Sequence, residues 1–332
     1  MKKAGLFFLF FLVANQFFAQ ETKLAQSIDF NGYIQIRGIS DFDDYTSFSV
    51  RRLKLWVKSK PGFSDHWSYK IQTTFTSFLQ EKFFLQDVKI GYKTGRFSFD
   101  IGQFVPQYSL QRFQHDYIIG PIERTKPVNI LIPNGTLGVR DIGVQVNFIS
   151  KNNLFETHLG LFNGYGINEY RFNNRGYMLT HKSEFNIPVK KNLIKLGYSL
   201  QYRKAEDLQL RLILPDSVLF SGNDFRFNLF AMFKNRLIKL QAEYLNANLD
   251  GSAAYGYYFL SVININKNQI VLSVEDYKDL IQETSDNPNF RIGYNYLIKD
   301  YKIKISFDNY FRLNSRKIEN YYASLQLQLF LK

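Results

Sequence analysis

From residue 28 onward, apolar and polar side chains alternate with a period of two. That period marks β-strands with one apolar and one polar face. Leu53, Leu55, Val57 and Ser59 point one way, and Arg52, Lys54, Trp56 and Lys58 the other. Ile142, Val144, Val146 and Phe148 alternate with Asp141, Gly143, Gln145 and Asn147. Leu325, Leu327 and Leu329 alternate with Ser324, Gln326 and Gln328. Sixteen such runs are expected, at 28–40, 48–60, 67–77, 84–93, 96–104, 140–149, 154–162, 177–187, 194–203, 224–234, 237–246, 255–266, 269–276, 289–298, 301–312 and 319–332. Each is close to the roughly 9 to 11 residues with which a tilted strand crosses a bilayer.

Alternation alone suits a soluble sandwich as well as a membrane barrel. The connections discriminate. Every second one is short: 61–66, 94–95, 150–153, 188–193, 235–236, 267–268 and 299–300. Those between are often long: 105–139, 163–176, 204–223 and 277–288. Short periplasmic turns alternating with longer external loops are expected of an outer-membrane barrel. A strand at each end of the pattern allows the first and last to pair and leaves no open edge. The expected fold is therefore an all-β, transmembrane, antiparallel β-barrel of about sixteen strands.

The N-terminus agrees with export. Lys2 and Lys3 precede the apolar run Leu6 to Val13, which is too short to span a bilayer as a helix. Cleavage is expected after Ala19, giving a signal peptide at 1–19 and one barrel domain at 20–332. No later stretch has about 18 consecutive apolar residues, so crossing is expected by strands and not helices. The expected location is the cell outer membrane, crossed many times.

Composition sharpens this picture. Phe (33) and Tyr (22) are abundant and Pro (8) is sparse, as long strands require. With no Cys, disulfide frameworks, thiolate metal sites and a catalytic Cys are excluded. The formal net charge is +13, and about +11 once Lys2 and Lys3 are removed with the signal. Such a charge can mean nucleic acid, but export and the pore-facing distribution of the charge point elsewhere.

The blocks RRLKLWVKSK (51–60), YKIQTTF (69–75), LQDVKIGYK (85–93), IGQFVPQYSLQR (101–112), IERTKP (122–127), RDIGVQV (140–146) and LGLFNGYGIN (159–168) resemble, in order and spacing, the phosphate-selective porin O and P family. The resemblance covers residues 30 to 170. It implies a homotrimeric sixteen-stranded barrel whose third external loop folds into the lumen and narrows it. Members usually end on an aromatic residue, whereas here Phe330 is followed by Leu331 and Lys332.

Parity assigns Arg37, Arg52, Lys54, Lys58, Lys70, Lys89, Lys195, Arg203, Arg226, Lys239, Arg291, Lys302 and Lys304 to the lumen, against fewer acids. A basic lumen concentrates anions. Arg binds oxyanions through its planar fork, and Lys acts as a point charge. The candidate anion contacts are Arg37, Arg52, Lys54, Lys58, Lys70, Arg112 and Lys126. Arg112 holds the place where the family carries a basic residue after GQF-x-P. Arg124, Arg140 and Asp141 are expected, with Glu123, to pair and pin the loop to the wall.

Glu156 and His158 share a face without a nearby third ligand, so no metal site is expected. Asn134-Gly-Thr reads as a loop turn more than a glycan acceptor. No phosphate-cradling Gly-rich loop or nucleophile elbow is present, and no cofactor is expected. The expected function is a passive channel, not an enzyme, favouring small anions such as phosphate or polyphosphate and held in outer-membrane lipid. The alternatives are a barrel hydrolase, drawing on carboxylates such as Asp207, Asp216 and Glu275, and an exported binding or adhesion barrel with a closed lumen.

Overall fold

The computed structural model describes residues 28–77, 83–167, 177–281, 288–314 and 317–331. The expected signal at 1–19 lies outside them. Sixteen strands follow in chain order: β1 (Asp29–Ser40), β2 (Thr46–Ser59), β3 (Trp67–Phe75), β4 (Phe83–Thr94), β5 (Phe97–Phe104), β6 (Asp141–Ile149), β7 (Phe155–Phe162) and β8 (Met178–Val189). The second half holds β9 (Asn192–Gln209), β10 (Leu219–Lys234), β11 (Ile238–Leu249), β12 (Ser252–Ile265), β13 (Asn268–Lys278), β14 (Asn289–Tyr301), β15 (Ile303–Asn314) and β16 (Lys317–Phe330). Each pairs antiparallel with its neighbour, and β1 pairs β16 from Tyr33–Phe330 to Ser40–Ala323. The sheet closes and leaves no free edge.

The two faces are inverted relative to a soluble protein. Polar Gln328, Asn295 and Ser306 are fully buried inside, while Leu325 is 56% exposed and Ile101 55% on the outside. An apolar belt of this kind is stable only against lipid.

Three details of the strands depart from expectation. β9 and β10 extend as a long hairpin, so the expected 204–223 loop shrinks to 210–218. On the same side, β11 and β12 are joined by Asp250–Gly251 alone, with φ of 47° and 94°. Both residues sit in the left-handed region, as a tight two-residue hairpin needs. Within β2 the register slips: Gln35 pairs Arg52 and Ile36 pairs Val50. Arg51 is the extra residue of a bulge, which re-aims its side chain.

The lumen is not polar throughout. Leu245, Ala247, Leu260, Val262 and Val271 of β11–β13 point inward and are buried. They cover Val128, Ile130, Leu131 and Ile132 of the 105–140 loop, whose one α-helical segment is α1 (Lys126–Leu131), with single 3-10 turns at Gln111–Phe113 and Gly135–Leu137. Apolar patches on both sides thus hold the loop inside the barrel.

The short-turn rim is strongly basic. Exposed cations occur in every turn: Lys60 (β2–β3), Arg96 (β4–β5), Lys151 (β6–β7), Lys190 and Lys191 (β8–β9), Arg236 (β10–β11), Lys267 (β12–β13) and Lys302 (β14–β15). Asp65 and Asp300 are the acids beside them, and Lys60 pairs with Asp65 at 3.2 Å. Lys302 was expected in the lumen. It lies instead in the turn before β15, where strand parity no longer applies.

Candidate functional site

The 105–140 loop crosses the lumen and is tied to the β11–β15 wall by carboxylates that accept backbone N–H groups. Glu243 takes those of Leu110 (2.9 Å) and Gln111 (2.6 Å), and Asp308 takes that of Ile122 at 2.7 Å. Asn295 Nδ2 donates to the Gly120 carbonyl at 2.7 Å. Here the wall supplies the partners that a buried irregular backbone lacks within itself.

Ion pairs tie the other side of the loop to β1 and β2. Glu123 accepts from Arg37 at 2.8 Å and is also held by Arg51. Asp116 accepts from Lys54 Nζ at 2.7 Å, lies 3.6 Å from Arg52 and pairs with Arg124. Burial raises the pKa of both acids, but the surrounding cations outweigh it. Arg51, Arg52 and Arg37 bring Glu123 down to about 2. Arg124, Arg52, Lys54 and Arg112 hold Asp116 well below the carboxylate range.

Between the loop and the β1–β6 wall a cavity of about 510 Å³ remains. It is lined by seven cations, Lys54, Lys58, Lys70, Lys89, Arg112, Arg124 and Arg140, against Asp87, Asp100 and Asp116. Five of the seven are paired: Lys54 and Arg124 with Asp116, Lys70 (2.6 Å) and Arg140 (3.2 Å) with Asp87, and Lys89 with Asp100 at 2.9 Å. Arg112 and Lys58 make no ion pair among the described residues. Arg112 stands half-buried just before the loop turns back, with only its backbone N–H held, by Ser109 Oγ at 3.3 Å. Burial first, and then Arg124 and Arg140, make its charge costly and pull its pKa well down. Arginine nevertheless keeps its proton at physiological pH, so a counter-anion is what relieves this cost.

His115, beside Asp116 on the rim of the cavity, is stacked on Tyr117 at 5.1 Å. Its pKa is lowered, first by burial and then by Lys70.

Not all of the expected residues meet in this cavity. Lys54, Lys58, Lys70 and Arg112 line it. Arg37 and Arg52 sit behind it, engaged by Glu123, Gln35 (2.8 Å) and Asp116. Lys126 does not reach it: its Nζ lies over the Tyr277 ring at 5.2 Å, at the start of α1 beneath β13.

The expected anchors do not pair with one another. Arg124 folds back onto its own loop, at Asp116 and the carbonyls of Gln111 and Gln114. Arg140 reaches Asp87 and Gln86 of β4. Asp141 accepts from Asn134 Nδ2 (2.6 Å) and from the Gly164 N–H (2.8 Å). Asn134 is itself buried, left-handed at φ 54°, and takes Arg203 Nη1 at 2.7 Å, so the sequon is a turn locked into the wall. His158 Nδ1 lies 2.8 Å from Asn147 Oδ1, and Glu156 accepts from Asn186 at 3.1 Å, so each is occupied in a wall hydrogen bond. Parity missed Arg51, which the bulge turns inward, and it missed Asp116, a loop carboxylate that neutralises three of the cations.

Residues 22–150 match the family model of the phosphate-selective porin O and P proteins, which bears out the resemblance over that stretch. No curated protein matches the chain in sequence. Among solved structures, the chain resembles OmpF of Salmonella typhi, in complex with daunomycin, with a TM-score of 0.66 at 10% identity over 92% of this chain and 98% of that one. It resembles OprB of Pseudomonas putida with a TM-score of 0.65 at 10% identity, over 92% and 94%. The in-vitro folded trimer form of OmpT of Vibrio cholerae gives 0.62 at 10% identity, over 92% and 100%. With residues 22–150 matched to a porin family and the sixteen strands closed into a barrel of the form of outer-membrane porins, the chain is a multi-pass β-barrel of the outer membrane.

Proposed function

We propose that the barrel is a passive pore favouring anions, phosphate and polyphosphate among them, and that it works without turnover or cofactor as a homotrimer exported by the signal at 1–19. The observation that carries this reading is Arg112: a guanidinium without a carboxylate, in a cavity with seven cations and three acids. An excess of fixed positive charge in a confined space raises the local anion concentration. Arg112 and Lys58 are then the two groups available to a passing oxyanion, and the remaining cations set the field. Arg37, Arg52, Lys54 and Lys70 act through that field, with their own carboxylates in contact, and Lys126 contributes at the far side of the loop. Several moderate contacts suit a pore, which must release its ion.

Planar-bilayer recording tests the proposal. In a KCl gradient the reversal potential is expected to report chloride preference, and added phosphate to reduce chloride current. Arg112→Ala combined with Lys58→Ala is expected to weaken that reduction about tenfold, on the scale of one lost charge-assisted contact. Cation preference, or absence of conductance, would overturn the reading.

A further inference from the structure

We propose that the short-turn rim binds anionic glycerophospholipid, with one headgroup seated in a cleft between three adjacent turns. The cleft lies among the β8–β9, β10–β11 and β12–β13 turns and has a volume of about 620 Å³. Lys191 and Arg236 line it with Asn192, Asn235, Asn264 and Asn266, beside Leu237 and Ile265. No carboxylate is among the lining residues. Neither Lys191 nor Arg236 makes an ion pair among the described residues, so two like charges share one cleft without a counter-charge from the chain. Their field favours an anion from outside.

The lining chemistry suits a phosphate group. Arg236 offers a planar fork and Lys191 a point charge, the two modes in which phosphate oxygens are held. Asn235 Oδ1 is committed to the backbone N–H groups of Leu237 (2.8 Å) and Ile238 (2.7 Å), and Asn264 Oδ1 to Gln269. Asn264 Nδ2 donates to the Leu237 carbonyl at 3.4 Å, whereas Asn235, held through its oxygen, keeps its Nδ2 as a donor; Asn192, Asn235 and Asn266 are the amides whose donors complete the cleft.

Position favours a lipid as the source. Leu237 is 60% exposed and Ile265 51%, and Ile187 and Val189 at the end of β8 are exposed as well. They close the apolar belt on this side, so a phosphate in the cleft leaves its acyl chains beside greasy wall. The basic charge also runs through all seven turns, as a surface facing an anionic leaflet would require.

Lipid retention by the purified porin tests this. The full chain in mixed micelles would be titrated with dioleoyl phosphatidylglycerol or dioleoyl phosphatidylcholine and bound lipid read by native mass spectrometry. Phosphatidylglycerol is expected to be retained about tenfold more than phosphatidylcholine. Lys191→Gln with Arg236→Gln is expected to remove that preference and leave single-channel conductance unchanged. Equal retention of the two lipids, or a preference that survives in the double variant, would overturn the proposal. Inorganic phosphate at about 10 mM, a saturating level for a weak ionic site, is expected not to displace the lipid, and displacement would make the cleft a free-phosphate site instead. The readout does not depend on which ions the pore conducts.

Discussion

Arg37 Nη1, on the first strand, donates a 2.8 Å hydrogen bond to Oε1 of Glu123, on the loop that crosses the lumen. Arg51 reaches the same carboxylate from the bulge in β2. One acid of the loop thus spans two arginines of the wall, and the loop is fastened on the side where no apolar patch holds it.

Glu123→Gln is therefore expected to loosen this edge of the loop. Both arginines would lose their charge partner, a loss of about 1.5–3 kcal/mol for charge-assisted hydrogen bonds. Frequent brief closures in single-channel records would report it, whereas a record as quiet as the unaltered protein's would assign the restraint to the β11–β15 wall. Acid should act in the same direction. The folded-state pKa of Glu123, about 2, lies below its ordinary 4.5. The stabilisation is complete above the ordinary value and is lost as pH falls from about 4.5 through about 2.

Asp116 is the central counter-charge of the cavity, serving Lys54, Arg52 and Arg124. Asp116→Asn should raise chloride preference, because it removes one of three acids facing seven cations. It should also destabilise the loop, because Arg124 is buried and loses its partner. A reversal potential shifted towards cations would contradict the assignment of Asp116 as a brake on anion accumulation.

How much of this was legible in the sequence follows from what each feature depends on. All sixteen strands are set by local alternation and tight turns, and each overlaps the run that the period of two marks, with β9 and β10 running further than expected. Arg51 escaped because a bulge breaks parity at one residue, and nothing in RRLKLW distinguishes the extra arginine from its neighbour. The dock for the loop had a readable trace: Leu245, Ala247 and Leu249 put apolar groups on the supposedly polar face of β11. The partners of Arg124, Arg140 and Asp141 had none, because they depend on the path of the loop across contacts far apart in sequence.

His115 gives the cavity a pH response. Burial and then Lys70 lower its pKa, so it is neutral at physiological pH and gains charge only on acidification. Asp116 stays ionised over the same range. For scale, two unit charges separated by about 8 Å interact by roughly 0.5 kcal/mol in water, about a twofold change. Anion preference should therefore rise about twofold on the acid side, and His115→Ala should flatten the profile. A wild-type profile that is already flat would remove His115 from the permeation path.

A fully buried charge cluster lies elsewhere, where Asp224 sits between Arg203 and Arg226. All three are at most 1% exposed, and Arg226 Nη1 also donates to the Ile132 carbonyl of the loop at 2.9 Å. Removing one partner of such a group leaves charge without compensation at a cost of about 3–5 kcal/mol. Asp224→Ala should lower the urea midpoint of the barrel in micelles accordingly. Asp224→Ala with Arg203→Met and Arg226→Met should recover most of the loss, since an apolar replacement of the whole set carries no stranded charge. If the triple variant were as unstable as the single one, the network would owe its value to its hydrogen bonds to Asn134, Gly164 and Ile132, and not to the balance of charge.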